Sequence, residues 1–476
     1  MRAILAAAAI LVPGAASAAN LSLSPGDELE TLISGLQAGD TATLADGVYP
    51  VDGTVRLNGI LATEGSPTVV RAAEGASPVI ELMGSGWIVE FSGSSHVRLE
   101  GLTLRGGGDF AAEERSIHGI NIHDDSTDIT VVGNTIVQIT GDAIRSSDGV
   151  GLVIRGNEVS QTSGGIGLNF GTGDGSSWLQ DSVVAGNYLH DLPREAVYFG
   201  PGCFGNRVVD NVIHAIPNQN GIVLQSTDFG APNVVEGNAI WDGGANGVTV
   251  GGSAIVRNNV IFNVASAGIR AVPTNAADYD DVVISFNTVA DTGNDGLDIR
   301  DWAGHTGMVL ANNVVANPTG NAMEAEEGDW DDGNLIVGNI VTGLVRGFEE
   351  LAGHFVSGHG HGDFQDAPAW DFYPSSASTL RDSADPSGAT FIPEVDFNGL
   401  PRQASAPDVG AYEFGEASNP GSPIREGFKQ PPPVLGDDAA VDGCEGCAGE
   451  EEGAAAAFLP MLLLAGLGLG RRRLRL

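Results

Sequence analysis

The chain has 476 residues, of which 69 are glycine and 6% are aromatic. Its 22 basic and 61 acidic residues give a formal net charge of −39, and Lys429 is the one lysine in the sequence. Such an acidic chain excludes nucleic acid as a partner, because that role needs a basic surface. Abundant glycine with few aromatic residues argues against a helical bundle and favours short strands joined by tight turns.

The first residues resemble an export signal in their order. Arg2 is followed by an apolar run of Ala, Ile and Leu, and then by the small residues Ala16-Ser17-Ala18. That order is typical of a secretory signal peptide, and the apolar run is too short to span a membrane. We therefore expect residues 1–18 to be a signal peptide, with cleavage after Ala18 or Ala19.

Three segments that follow alternate between apolar and polar residues as strands do. They are Asp40 to Tyr49, Thr68 to Glu81 and Val97 to Leu104. We expect them to form coils that precede the main repeat.

The middle of the chain repeats a six-residue pattern, apolar-x-x-Asn-x-apolar, nine times. The asparagines of the pattern are Asn134, Asn157, Asn187, Asn211, Asn238, Asn259, Asn287, Asn313 and Asn339. Their successive spacings lie between 21 and 30 residues, as the numbering shows. A fixed repeat of this length indicates a solenoid, a propeller or an array.

Each repeat also contains a glycine followed by apolar-x-apolar, as in Gly119-Ile120-Asn121-Ile122. Two or three short strands leave no room for a helix, which excludes leucine-rich and helical repeats, and a four-stranded propeller blade needs more residues. One coil of a parallel β-helix fits the length. Asparagine tolerates the left-handed backbone of a sharp corner, and stacked asparagine amides can form a hydrogen-bonded ladder.

The C-terminal region has a linker at 416–443 and then a tail at 444–476 with Cys444 and Cys447. An apolar segment at 453–470 follows and ends in four arginines among the last six residues. We expect 453–470 to be a transmembrane segment, with the arginines in the cytoplasm. A zinc half-site is the alternative interpretation of the two cysteines.

Two parts of the chain resemble known proteins. The segments GDTATLADGVYPV and VVRAAEGASPVIE, with Asp396 to Arg402 and Asp408 to Phe414, resemble the opening and closing segments of secreted β-helix proteins of the pectate-lyase-like superfamily. This resemblance covers about residues 20–415. It implies an all-β fold, a right-handed single-stranded parallel β-helix with caps at both ends. The asparagine coils would occupy about 119–350 and the C-terminal cap 351–415.

The tail is similar to the myxobacterial C-terminal sorting signal, which combines a cysteine motif, a membrane segment and an arginine cluster. The similarity implies a sorting protease that acts near Cys444. It also implies that the exported protein stays at the cell surface or outer membrane.

Ligands of β-helices lie along one outward-facing sheet, so the outward positions of successive coils indicate where a site would be. Most of these positions are small or neutral, but three consecutive coils are charged. The candidate catalytic residues are Arg270, Asp298, Arg300 and Glu324. The candidate calcium ligands are Asp301, Glu326, Asp329 and Asp331. An arginine can neutralise a uronate carboxylate, while paired carboxylates can transfer protons or bind Ca²⁺. The alternative is that these charges only form cross-strand pairs on a solvated face.

Three further groups of residues carry suitable chemistry but are more typical of turns and surfaces. The first group is His118, Asn121, His123, Asp124, Asp125 and Arg145. The second group is His190, Asp191, Arg194, Glu195 and Tyr198. The third group is His359, His361 and Asp363 in a glycine-rich loop, where metal binding is the hypothesis.

The superfamily resemblance restricts the chemistry. Several of its lyases use a lysine base, which this chain lacks before Lys429. Its polygalacturonase-like hydrolases use several aspartates, whereas the outward column offers Asp298 with Asp301 beside it. The lyase mechanism that these residues permit is one in which an arginine acts as the base and Ca²⁺ assists. We therefore expect a cell-surface protein that binds polysaccharide, with cleavage by a lyase or glycoside hydrolase as a hypothesis. The alternative is a non-catalytic structural or adhesion protein.

Overall fold

The computed structural model describes residues 18–108, 115–225, 230–273, 279–326, 334–347, 355–403, 405–425 and 427–428. All of the predicted signal peptide except Ala18 lies outside these residues, as do Cys444 and the predicted membrane segment at 453–470. Within the described part of the chain, no helix is both long and apolar enough to cross a membrane.

Most strands pair in parallel with the strands one coil before and one coil after, and together they form three faces. Face 1 contains Asn20–Leu23, Thr41–Leu44, Thr68–Ala72, Val97–Glu100, Thr130–Val132, Val153–Arg155, Val183–Ala185, Arg207–Val209, Asn233–Glu236, Ala254–Arg257, Val282–Ser285, Val309–Ala311 and Leu335–Val337. Face 2 contains Gly47–Val51, Pro78–Leu82, Thr103–Gly106, Thr135–Ile139, Glu158–Thr162, Tyr188–His190, Val212–Ile216, Ala239–Gly243, Val260–Val264, Thr288–Ala290 and Phe355–Ser357.

Face 3 contains Val55–Asn58, Gly86–Ser92, Ile117–His123, Ile144–Ser146, Leu168–Phe170, Val197–Phe199, Ile222–Leu224, Val248–Val250, Ile269–Ala271 and Leu297–Asp298. The long strands Val314–Glu324 and Asn339–Arg346 pass through both face 2 and face 3. A short parallel pair, Gly149–Val150 with Leu179–Gln180, lies outside the three faces. The chain is a right-handed parallel β-helix, as the sequence predicted.

Alternation along each strand builds the core. In Ile117–His123, Ile120 and Ile122 are fully buried, whereas Asn121 between them faces outward. Parallel pairing then stacks apolar side chains of successive coils directly on one another, as Ile120 does on Ile144 and Ile144 on Leu168. Burial of apolar area on this scale drives folding at about 25 cal/mol per Å².

The nine pattern asparagines form a continuous buried ladder. The Nδ2 of each donates to the Oδ1 of the next over distances of 2.9 to 3.1 Å, from Asn134 to Asn339. The left-handed residue of the corner is the one before each asparagine, often a glycine, and not the asparagine itself. These residues are Gly133, Gly156, Gly186, Asp210, Gly237, Asn258, Phe286, Asn312 and Gly338. The asparagine is needed for its amide, and the preceding residue for its backbone conformation.

A short helix, Leu29–Ser34, covers the first coil. It buries Leu29 and Ile33 in the core. The carboxylate of Glu30 accepts hydrogen bonds from the backbone N–H groups of Asp52 and Gly53, which ties the helix to the turn between faces 2 and 3.

The C-terminal part, residues 360–428 where described, forms a strap along the outer side of face 2. It contains the 3₁₀ turns Gly360–Asp363, Ala367–Ala369 and Pro386–Phe391, and the antiparallel strands Phe364–Asp366 and Asp371–Pro374. We expected a cap at 351–415 over the end of the stack. The strap lies along the side instead, because face 2 presents the outward aromatic side chains of Trp241 and Phe262. Phe372 of the strap packs against them, with its ring centroid 4.9 Å from that of Phe262. It extends to Gly427, whose N–H donates to Tyr188 Oη at 2.8 Å.

The closing segments found in the sequence fasten this strap. Arg402 is buried and donates to Asn258 Oδ1 at 3.0 Å and to the Gly410 carbonyl at 2.7 Å. The carboxylate of Asp408 accepts hydrogen bonds from the backbone N–H groups of Asp382 and Phe414, which precede and follow it in the strap. Burial raises the pKa of the nearby Glu413 carboxyl to about 7. The segment is therefore a hydrogen-bonded clasp and not a binding site.

Candidate functional site

The outward side of face 3 carries the predicted charged residues in adjacent coils. Arg270 pairs in register with Asp298, and Asp298 with Glu324. Arg346 follows Glu324 in the next coil. In an earlier coil of face 3, Asn169 lies level with Arg145. That coil uses one more residue at its corner than its neighbours.

Asp298 lies between two guanidinium groups. Arg270 Nε donates to one carboxylate oxygen at 3.2 Å, while Arg300 donates through Nε and Nη2 to the two oxygens at 2.8 Å each. The Asp298 side chain is 3% exposed, whereas those of Arg270 and Arg300 are 34% and 37% exposed. A ligand approaching face 3 therefore meets the two guanidinium groups first, with the carboxylate beneath them.

The guanidinium groups have donors that remain available for a ligand. The hydrogen bonds to Asp298 raise the pKa of Arg300 further above its ordinary range. Among the described residues, no group accepts a hydrogen bond from the Nη atoms of Arg270 or from Nη1 of Arg300. These N–H groups point to a second carboxylate as a suitable ligand, because guanidinium binds carboxylates through paired donors.

Asp295 and Asn321, which the sequence argument missed, complete the cluster. Asp295 is 1% exposed, and its Oδ1 accepts from Asn321 Nδ2 at 2.8 Å. Burial raises the pKa of Asp295, and the hydrogen bond and charge of Glu324 add to that effect. The Nδ2 of Asn321 also donates to Glu324 Oε2 at 3.3 Å, so the carboxyl groups of Asp295 and Glu324 lie close together beside the arginines.

Two buried aromatic side chains support the site from below. Trp302 donates through Nε1 to the carbonyl of Ala271 at 2.7 Å, and Tyr279 donates to the carbonyl of Val250 at 3.3 Å. Both side chains are almost fully buried. They fix the backbone that follows the strands of face 3 and so hold Arg270 and Asp298 in position.

Two of the four predicted calcium ligands lie in the described structure. Asp301 and Glu326 are exposed in adjacent coils, whereas Asp329 and Asp331 lie outside the described residues. Across the described ranges, no group of three or more His, Cys, Asp or Glu side chains is arranged to hold a metal ion. The calcium site, which needs Asp329 and Asp331, therefore stays a prediction.

The first of the other candidate groups separates into two. His123 contacts Glu90 at 3.3 Å and Asp124 at 3.0 Å, and Glu90 also pairs with Arg56 at 3.1 Å. His118 lies apart from these residues, beside Trp87 and one coil before Arg145. Asp125 occupies a left-handed turn position.

The second group is likewise divided between two surfaces. His190 lies on face 2 between Glu158 and Asp191, at 3.3 and 2.8 Å, while Tyr198 lies on face 3. Glu195 and Arg194 pair at 3.5 Å. The structure therefore does not bring this group together.

The glycine-rich loop with His359 and His361 belongs to the strap. Asp363 is buried there and accepts from the N–H of Thr379 at 2.7 Å and of His359 at 2.6 Å. His361 pairs with Asp291 at 2.7 Å. These contacts assign the loop to strap attachment.

Comparison with known proteins agrees with this architecture. The family model described as right handed beta helix region matches residues 118–280. A search of curated proteins gives no match. Among solved structures, the pectate lyase Pel9A is 15% identical with a TM-score of 0.50, and the match covers 84% of this chain and 98% of that one.

The A-module of the mannuronan C-5 epimerase AlgE4 of Azotobacter vinelandii is 18% identical with a TM-score of 0.49, and the match covers 65% of this chain and 89% of that one. A PL6 alginate lyase in complex with a trisaccharide is 16% identical with a TM-score of 0.49, and the match covers 71% of this chain and 88% of that one. The likeness to the pectate lyase, at 15% identity, shows the fold alone, and the chemistry rests on the residues of this chain.

Proposed function

We propose that the protein binds an acidic extracellular polysaccharide along face 3, with uronate carboxylates held by Arg270 and Arg300. The observation that carries the proposal is the geometry around Asp298. This buried carboxylate holds both guanidinium groups in place and leaves outward N–H donors on each. A site of this kind is preorganised, so little side-chain entropy is lost when a carboxylate binds.

The charge of the whole chain makes specific contacts necessary. With a net charge of −39, the protein repels a polyanion at long range. That repulsion is screened within about 8 Å at physiological salt, whereas a charge-assisted contact acts at shorter distance. Guanidinium groups at the surface of face 3 provide such contacts. The predicted signal peptide and tail would place this face outside the cell.

A second function, cleavage of the bound chain, is favoured by one observation. Asp295 and Glu324 both accept from Asn321 Nδ2 beside the arginines, and burial raises the pKa of Asp295. A carboxyl group kept protonated can donate a proton to a leaving oxygen, and its ionised partner can accept one. The raised pKa of Arg300 argues against the arginine-base mechanism that the sequence permits.

The test is a binding titration of the purified protein with polygalacturonate, alginate and neutral dextran, with and without Ca²⁺. We expect the acidic polymers to bind and dextran not to bind. Arg270→Gln and Arg300→Gln should each weaken binding by about tenfold or more, since a hydrogen bond between charged groups contributes about 1.5–3 kcal/mol.

Arg257→Gln is the matched control. Arg257 lies in the same coil on face 1, where it pairs with Glu236 at 3.0 Å. If the Arg270 and Arg300 variants bind the acidic polymers with the same affinity as the control variant, the proposed site is wrong. If neither acidic polymer binds, the protein does not have the proposed function and the adhesion alternative gains support. Ultraviolet absorbance of an unsaturated product and release of reducing ends measure lyase and hydrolase activity in the same samples.

A further inference from the structure

Within the described ranges, Arg145 lacks the carboxylate partner that the structure shows for other arginines of face 3. It lies on the strand Ile144–Ser146 of face 3, half-buried, in register between Asn121 and Asn169. Arg56, Arg270 and Arg300 on the same face each pair with a carboxylate. In the described part of the chain, no group accepts a hydrogen bond from Arg145 or forms an ion pair with it.

The nearby polar groups are already engaged with other partners. One oxygen of the Asp142 carboxylate accepts from the N–H of Ile166 and the other from Asn169 Nδ2, each at 2.9 Å. His118 Nδ1 accepts from the N–H of Asp142 at 3.1 Å, so this nitrogen carries no proton. Among the residues that the structure describes, no carboxylate is therefore committed to neutralising the positive charge of Arg145.

An aromatic pair lies on the two coils that precede Arg145 on face 3. The rings of Trp87 and His118 are 4.4 Å apart between centroids and inclined by 34°, and both side chains are half-buried. Gly141 makes room for the imidazole, because a Cβ at that position would lie 2.2 Å from His118 Nδ1. Burial lowers the pKa of His118, and the Arg145 charge adds to that effect, so the ring is neutral. An aromatic face and a guanidinium on neighbouring coils of one face suit adjacent residues of a uronate chain, with a sugar ring against the aromatic pair and a carboxylate at the guanidinium.

We propose that Arg145, with Trp87 and His118, forms a second uronate subsite for the same polysaccharide chain that Arg270 and Arg300 bind. This inference rests on the proposed function, and it specifies that the ligand is long enough to contact both subsites. Arg145 and Arg270 are separated along face 3 by Asn169, Tyr198, Val223 and Thr249, one in each intervening coil.

Five coil steps at the spacing of paired strands amount to about 24 Å. A ligand that joins the two subsites must therefore reach across this distance, whereas a shorter oligomer contacts one subsite at a time. The intervening outward side chains are uncharged, and they neither repel the carboxylates nor bind them. Simultaneous contact at both ends raises affinity without further contacts between them.

The experiment measures the affinity of the full chain for oligogalacturonates of increasing length. The wild-type protein should show a rise of at least about tenfold once the oligomer spans both subsites. Arg145→Gln should lose this rise and keep the affinity for short oligomers. Trp87→Ala should lose most of it as well, with a changed intrinsic fluorescence response to long oligomers.

Arg155→Gln is the control, because Arg155 follows ten residues later and is exposed on face 1. Near-ultraviolet circular dichroism establishes that each variant is folded. If Arg145→Gln keeps the wild-type dependence on length while Arg270→Gln loses binding, the second subsite is wrong and the proposed function stands. If no oligomer binds to the wild-type protein, both are wrong.

Discussion

Replacement of a ladder asparagine should destabilise the protein strongly, and Asn259→Ala is the sharpest case. Its Nδ2 donates to the Val235 and Arg257 carbonyls and to Asn287 Oδ1, each at 2.9 Å. Its Oδ1 accepts from both the backbone N–H and Nδ2 of Asn238, again at 2.9 Å. Asn259 is 0% exposed, so water cannot replace these contacts.

The expected cost follows from the hydrogen-bonding capacity of the amide. Two N–H groups can donate and one oxygen can accept twice, which makes four hydrogen bonds in place of the five recorded contacts. At about 1 kcal/mol each, their loss costs about 4 kcal/mol, and the groups left unpaired in neighbouring coils add to this. Such a loss is a large fraction of the stability of a typical domain, which is about 5–15 kcal/mol.

The assay is urea unfolding followed by tryptophan fluorescence and circular dichroism. Asn263→Ala is the control, because Asn263 belongs to the same coil but is exposed and left-handed, with a φ of 50°. Its replacement should cost about 1–2 kcal/mol through the backbone, together with the loss of one exposed hydrogen bond to Asp242. Asn259→Ala with no larger effect than this control would show that the ladder contributes little energy.

A double-mutant cycle tests whether the ladder acts as a unit. Asn238→Ala and Asn259→Ala remove shared hydrogen bonds, so together they should cost less than the two separate effects combined. Asn134→Ala combined with Asn259→Ala should be additive, because these residues lie several coils apart. Full additivity in the adjacent pair would refute the reasoning.

The remaining predictions concern the clasp and the coil corners. Because the folded-state pKa of Glu413 is about 7 against an ordinary 4.5, folding retains its proton, and stability should fall by about 3 kcal/mol as pH rises from 4.5 to 7. Glu413→Gln should remove that part of the fall, measured as unfolding midpoints at pH 5 and pH 8, and an unchanged slope would contradict the assignment. Gly244→Ala should prevent stable folding, since its Cβ would lie 1.9 Å from a backbone carbonyl oxygen of the preceding coil, whereas Gly65→Ala, with open space around it, should leave the melting temperature unchanged.

The sequence was sufficient to predict the coil stack and the neighbours of the charged residues. The asparagine pattern marks one equivalent position in every coil, and this pattern alone places Arg270, Asp298 and Glu324 side by side. The physical reason is that a parallel solenoid repeats its register, and a residue on one coil meets its counterpart on the next.

Asp295 and Asn321 were not predicted as site residues, because they lie outside the strand positions that the repeat pattern marks. Asp295 and Asn321 precede the outward strand positions, and each is followed by a small residue, Gly296 or Ala322. A polar residue before a small one recurs in other coils, as in Asn220-Gly221 and Asn246-Gly247, where the two asparagine side chains are 3.0 Å apart. That signal is present in the sequence, but the same pairs of residues are typical of turns.

The strap could not be placed from the sequence, because its partner surface lies far away along the chain. Its segments contain no repeat, so nothing in them defines a register against face 2. Outward aromatic residues such as Trp241 and Phe262 are the one indication that face 2 is covered. A rule of inward apolar and outward polar residues treats them as exceptions, and their burial appears only in the folded chain.

The arrangement of constant and variable segments explains why face 3 is suited to a binding surface. Asn134 and Arg145 are eleven residues apart, and so are Asn287 and Asp298, which makes the path from face 2 to face 3 nearly constant. The return path from face 3 to the next ladder asparagine varies much more, and it is longer after Arg270 than in the preceding coil. Insertions therefore accumulate in loops at one edge of face 3, while the ladder holds the outward side chains of that face in a fixed register. A ligand lying along face 3 meets rigid charged groups beneath it and variable loops beside it, and this division allows specificity to change without disturbance of the core.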